Sequence, residues 1–421
     1  MIAAPLHSQK LAFLKGIVGQ SALLWIAQMA GILISVAAGI FITRALGPEG
    51  RGVYTWLLTL ASVGASVALF GMDISNRRFA AAQPREIPAL LRLNLWVIFV
   101  GGGLAAVVLG IIAYSQPASG QNPLLIALVM LSVPLGALPM ALWQVLQAQG
   151  RISKMAWVIL LPKVLMAAGA AFLLSMAWVS LSAALLVNFS ASLLGAALPL
   201  WYLSGALREP GHLRPLVYLK TVWRTCSAAY AAGLGYYLMQ KCDVLLVGLF
   251  LGKAATGYYG VASNMVDIMM TPVLVISGLL ATRLAAGTGG LPRKVLGLTM
   301  LMTVSGCMFT YFVAPWVIPF LFGAAFTPAV PVLQLLCPAV VALAWFALMQ
   351  NALTANGRPR HLPIPPIVGS VANITLNIVL IPRLGLAGAC WASILAYSLA
   401  AVCATVLVQE TLRLKAVAKA P

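Results

Sequence analysis

Between Ile17 and Val408 the chain is a succession of apolar runs separated by short polar connections. Almost every run reaches the roughly 20 residues that an α-helix needs to cross a hydrocarbon core about 30 Å thick. Helices satisfy their own backbone hydrogen bonds in lipid, and no alternating strand pattern competes. The runs cover, to within about four residues, Ile17–Ile42, Val53–Met72, Ile87–Tyr114, Leu124–Leu146, Met155–Met176, Leu181–Leu203, Thr225–Leu251, Thr256–Leu280, Val295–Val313, Val330–Leu353, Leu362–Ile381 and Leu386–Val408. With 62% hydrophobic and 8% charged residues, far from the quarter charged that is usual in soluble domains, the expectation is an all-α polytopic membrane protein with twelve transmembrane helices, six per half.

The two halves repeat. Shifting the sequence by 205 places Leu46, Gly47, Gly52, Tyr54, Arg78, Ala80 and Ala81 on Leu251, Gly252, Gly257, Tyr259, Arg283, Ala285 and Ala286. A second match, at a shift of 207, lays Ala148, Gly150 and Arg151 on Ala355, Gly357 and Arg358. Each copy reads as a glycine-bracketed turn, an apolar helix and a terminal arginine. Internal similarity of this kind marks a duplicated architecture, here two pseudo-symmetric six-helix lobes over 1–207 and 225–421 joined by a linker over 208–224. An even number of crossings per lobe inserts both the same way up, related by a pseudo-two-fold along the membrane normal with a cavity between them.

A formal charge of +19 would suit nucleic acid, but the cations punctuate the apolar runs instead of forming a stripe. Counted by connection, twenty lysines and arginines fall on one side and four (Arg44, Arg51, Lys253, Arg383) on the other, with Lys163 and Lys241 inside runs. Positive charge collects on the cytoplasmic side, so both termini are expected there. The start of the chain reads as an uncleaved first helix, its apolar run being too long for a signal-peptide core. Cys226, Cys242, Cys307, Cys337, Cys390 and Cys403 have neither CxxC nor Cys/His spacing. They read as lipid- or core-facing thiols without metal. His7, His212 and His361 lie in connections.

Ionisable groups inside the apolar runs are the candidates for function, because a charge at mid-bilayer costs about 2.5 to 3.5 kcal/mol even on the lenient insertion scale. They are Lys163, Lys241, Asp243 and Asp267, and their counterparts in the other repeat are neutral: Ser370, Val36, Ala38 and Ser62. Lys163 admits two readings, a cation facing a central cavity or a side chain snorkelling to the headgroups. Lys241 sits nearer mid-membrane. Asp243, two residues on, must face elsewhere and either couples a cation or pairs with a basic group on another helix. Asp267 is an ion-coupling or counter-charge candidate. Asp73 and Arg77, four apart, suit an intrahelical pair. Asn94, Asn264, Asn373 and Asn377 bridge helices or bond a sugar, and Trp56 and Tyr236 suit packing or sugar stacking. Gly233, Gly235 and Pro272 are the expected bend points.

Enzymatic signals are missing, since the outer connections carry a single acid, Glu49, and no GxxxxGKS or GxxxxGKT phosphate loop occurs. No enzyme activity, cofactor or metal is expected, and transport must draw on an ion gradient or on the substrate's own. The run ITRALGPEGRGVYTWLLTLA, continued to RRFAA, and the segment KCDVLLVGLFLGKAATGYYGVAS resemble the polysaccharide biosynthesis flippases, the oligosaccharide-lipid translocases of the multidrug/oligosaccharidyl-lipid/polysaccharide exporter superfamily. Asp243, Gly252, Gly257 and Tyr259 match that family's aspartate, LG and GxY pattern, and Gly47, Gly52 and Tyr54 its amino-terminal turn. The resemblance implies two lobes opening alternately, a cationic cavity for an undecaprenyl diphosphate-linked glycan, and a place in the bacterial inner membrane beside polysaccharide polymerase machinery. Lys163 and Lys241 are the expected diphosphate contacts, with no mid-membrane arginine to join them. A cation-coupled multidrug exporter is the competing expectation, kept open by Asp243 and Asp267.

Overall fold

The computed structural model describes residues 5–176, 178–209, 215–285, 293–355 and 359–417. His212, Arg214, Ala286, Gly357 and Arg358, and with them linker residues 210–214, lie outside the described residues, as do the side chains of His7, Arg77, Arg78 and Arg283. All the longer elements are helices: α1 (Pro5–Ala68), α2 (Met72–Ala82), α3 (Ile87–Ser115), α4 (Pro123–Ala148), α5 (Ile152–Ser175), α6 (Leu181–Arg208), α7 (Pro215–Ala285), α8 (Arg293–Phe322), α9 (Ala329–Ala355), α10 (Ile364–Leu384) and α11 (Leu386–Val417). Ten segments among the described residues are long and apolar enough to cross a membrane. Their outer faces carry exposed Trp96, Leu104, Phe309, Trp316 and Phe320, more apolar surface than a soluble monomer leaves in water.

α1 and α7 are each two helices meeting at a break. At Gly47 the backbone takes φ 65°, ψ −179°, and at Gly252, 205 residues later, φ 82°, ψ −169°. That region of backbone space is open in practice to glycine alone. Pro48 follows the first break where its missing N–H costs nothing. The duplication inferred from sequence therefore reappears as one backbone conformation used twice. Gly233, Gly235 and Pro272 do not interrupt α7, whose interior leaves helical geometry only at Gly252. The charged connection expected over 76–86 is also largely helical, formed by α2 and a 3-10 turn at Pro84–Glu86.

The residues group into two compact units, one holding Met1–Ala45, Val67–Val108 and Ala127–Arg224, the other Leu46–Ser66, Leu109–Ile126 and Thr225–Pro421. In the first, α5 packs on α6, and a reciprocal amide pair joins Asn76 of α2 to Asn94 of α3 at 2.9 and 3.0 Å. Asn76 also donates to the Ala141 carbonyl of α4. Asn94 is thus a bridge between helices, spent on its neighbours. In the second unit α9 packs on α8 and α11, and α10 on α11. α9 is its core, buried over two-thirds of its most apolar stretch.

The second unit also takes in the arm of α1 after Gly47, which lies against the arm of α7 after Gly252. A β-carbon built on Gly52 would collide with the carbonyl oxygen of Lys253, and one on Gly257 with that of Pro48. Gly52 and Gly257 are repeat equivalents, and so are Pro48 and Lys253. A contact that maps onto itself when the copies are exchanged is what a local two-fold requires. Trp56 fills the next layer, fully buried, its indole N–H donating to the Leu245 carbonyl at 3.1 Å and its ring lying on Gly248. Replacing Gly52 or Gly257 by alanine is expected to destabilise the protein by about 1–3 kcal/mol through overpacking. Gly39→Ala, whose β-carbon meets nothing within 4 Å, should be neutral or slightly stabilising. Thermal unfolding of the three variants in detergent checks the order.

Candidate functional site

The charged residues of α7 leave the helix in two directions, as their two-residue spacing requires. From the first arm Lys241 Nζ donates to Asp267 Oδ2 of the second arm at 2.6 Å. Asp243, 3% exposed, turns the other way. It accepts from the backbone N–H of Val244 at 2.7 Å, from the Tyr259 hydroxyl at 2.6 Å and from the Ser393 hydroxyl of α11 at 3.3 Å. A carboxylate that far from water has to be surrounded by donors. The aspartate, LG and GxY spacing is thereby explained in physical terms: the glycine turns the chain back, and the tyrosine returns to the aspartate. Among the described residues no basic group forms an ion pair with Asp243.

In the first repeat Ala38 stands in place of Asp243, and the equivalent tyrosine has another neighbour. The Arg51 guanidinium lies over the Tyr54 ring, 5.4 Å from its centroid, a cation–π distance. Arg51 is only 6% exposed, and its Nε has no hydrogen-bond partner among the described residues. It lines a cavity of about 280 Å³ together with Tyr54, Ser62, Lys241, Ser263 and Asn264. The cavity draws on both repeats, and its lining holds two cations and no acid. Asp267 follows Ser263 and Asn264 by one turn on the same face of α7.

Sequence reasoning missed Arg51 by counting it on an outer connection. The break at Gly47 confines the turn to one residue and puts Arg51 inside the following helix, one turn beyond the break, instead of on a connection. A usable signal was present, because Arg51 faces a neutral Thr256 in the repeat alignment, like the other singled-out charges. Lys163 does not line this cavity. It sits in the first unit with its side chain across α1, where a β-carbon on Gly31 would lie 2.9 Å from Cδ and 3.0 Å from Nζ. The other polar candidates divide. Asn264 faces the cavity, whereas Asn373 and Asn377 are buried and bonded to each other at 2.9 Å, and Tyr236 stacks on Phe346 at 5.7 Å. The six cysteines form no disulfide, and four of them are buried.

Solved structures share this fold. A multidrug resistance transporter of the MATE family in the MOP superfamily, in an inward-facing conformation, superposes with a TM-score of 0.75 at 14% identity, covering 95% of this chain and 99% of that one. Lipid II flippase MurJ, inward closed, gives 0.72 at 12% identity over 92% and 87%. Fold and composition together define a multi-pass helical membrane protein. A family model described as polysaccharide biosynthesis protein matches residues 41–331. The chain belongs to that family. A curated relative, the probable low-salt glycan biosynthesis flippase Agl15 of Haloferax volcanii, is 20% identical over 389 residues, which make up 89% of this chain and 80% of that protein.

The buried tie can be tested without any substrate. Tyr259→Phe removes one of three donors from a carboxylate that water does not reach, and should cost about 1–3 kcal/mol. Asp243→Asn in the same background should recover part of the loss, because a neutral amide needs fewer donors. Unfolding of the single and double variants in detergent measures both.

Proposed function

We propose that the protein flips an undecaprenyl diphosphate-linked oligosaccharide across the bacterial inner membrane by alternating access, for surface polysaccharide assembly. The observation that carries this reading is the cavity with Arg51 and Lys241 in its wall and no acid among its described lining residues, the Asp267 carboxylate that pairs with Lys241 lying outside that lining. Two cations in an otherwise uncharged polar pocket suit a diphosphate, and Ser62, Ser263 and Asn264 offer neutral hydrogen bonds. Arginine matches phosphate geometry through its planar fork of donors. Lys163, in the first unit and outside this cavity, is proposed as a headgroup contact in its own right. Membership of a polysaccharide biosynthesis family and the name of the archaeal relative support the choice of substrate class.

The architecture that goes with it is twelve crossings in two six-helix lobes, 1–207 and 225–421, with both termini cytoplasmic. Two of the ten apolar segments support that count. They run for 46 and 56 residues, more than twice the roughly 20 that one crossing takes, and each is broken once, at Gly47 and Gly252. The asymmetry of lysine and arginine between the two sets of connections supports the orientation. The bilayer itself is the first partner and polysaccharide polymerase machinery the next.

Deleting the gene should abolish surface polysaccharide and leave lipid-linked units accumulating in the cytoplasmic leaflet. Wild type should restore output, whereas Arg51→Gln and Lys241→Gln should reduce it by roughly tenfold or more each, the size expected when one partner of a desolvated phosphate contact is lost. Unchanged output from Lys163→Ala, Lys241→Ala and Arg51→Gln alike overturns the assignment of the anion contacts. A second reading, cation-coupled export of small molecules, is favoured by the likeness to a multidrug transporter and by the carboxylates Asp243 and Asp267. Raised drug susceptibility of the deletion strain with intact polysaccharide decides for it.

A further inference from the structure

Resting on the reading of the cavity as a phosphate-accepting site, we infer that Asp267 is a built-in competitor for the incoming anion, displaced from Lys241 when a phosphate group binds. Lys241 belongs to two environments at once. Its ammonium lines the cavity, and it is held at 2.6 Å by a carboxylate that is not part of the lining. The two partners are unequally placed, the lysine side chain being 18% exposed and that of Asp267 45%. The carboxylate therefore has open space to move into, while the ammonium stays where it is. Arg51 completes the arrangement as a buried guanidinium whose Nε has no hydrogen-bond partner among the described residues, so of the two cations in the lining Lys241 is the one paired with a carboxylate among those residues.

A phosphate oxygen seated between Arg51 and Lys241 brings negative charge to within a few ångströms of Asp267. Like charges at that range repel by several kT where water is scarce. The diphosphate carries more charge than one carboxylate and gains Arg51 as well, so it wins the lysine. Displacement has a mechanical side, because the Lys241–Asp267 pair is one of two side-chain hydrogen-bonded ties seen between the arms of α7 among the described residues. The other, Asp243 with Tyr259, is buried and untouched by the exchange. Anion binding then loosens the arm after Gly252 at its exposed end and leaves it anchored at the buried end.

The test is titration of purified full-length protein in detergent with inorganic pyrophosphate, followed by calorimetry. Wild type should bind, and Arg51→Gln should not. Asp267→Asn should bind about tenfold more tightly than wild type, the change expected when a competitor worth one decade of affinity is removed. Asp267→Ser is carried alongside, so that a folding failure of either leaves the other to report. The gain should vanish in a Lys241→Gln background. If Asp267→Asn and Asp267→Ser bind like wild type, or if the gain persists without Lys241 and so reflects only the general field, competition is refuted while the anion site stands. If neither wild type nor Asp267→Asn binds pyrophosphate, the anion site falls with it.

Discussion

The structure of the second unit depends on how closely two helices can approach at their backbones. Where Gly52 meets the carbonyl of Lys253 and Gly257 meets that of Pro48, no side chain separates the arms, and everything beside that contact is placed by it. Trp56 lies in the layer below. Arg51, one residue before Gly52, is thereby turned into the same interior as Lys241, and the cavity forms where the arms begin to separate. Small residues are what allow helices to come together in lipid, where apolar side chains gain nothing by leaving their surroundings.

Breaks at Gly47 and Gly252 make the approach possible. Each interrupts a chain that is otherwise continuous helix, so that an arm of the first repeat and its counterpart in the second present the same face. In α7 polar ties then hold the two arms together. In α7 the work is done by Asp243 with Tyr259 and by Lys241 with Asp267, on opposite sides of the helix. In α1 the aspartate has become Ala38, and the space beside Tyr54 is taken by Arg51. Divergence after duplication has been spent on charge, whereas the glycines have been kept.

Much of this was legible in the sequence. The apolar runs, the duplicated glycines and the expectation that Lys241 and Asp243 face apart follow from composition, spacing and helical period, and each has a structural counterpart. Two things were not. Asp267 is 26 residues from Lys241, and nothing in a helical pattern says that the chain doubles back through Gly252 at the angle that joins them. Arg51 was hidden by its neighbours, because LGPEGRG has the composition of a loop although a single residue makes the turn. Breakers were misjudged in the other direction at Gly233, Gly235 and Pro272, where the helix runs on unbroken. Ser370 donates to the Gly235 carbonyl at 2.5 Å, and the backbone of α10 lies against that glycine.

The self-matching contact of the two arms sets up a frame that looks alike from either repeat, yet its charges do not. Arg51 answers to Thr256 and Lys241 to Val36, so exchanging the repeats would carry both cations to places that hold none. A molecule with one anionic end meets a socket with a single polarity and has one way to lie in it. Handedness of that kind lets a symmetric frame distinguish one end of a bound molecule from the other.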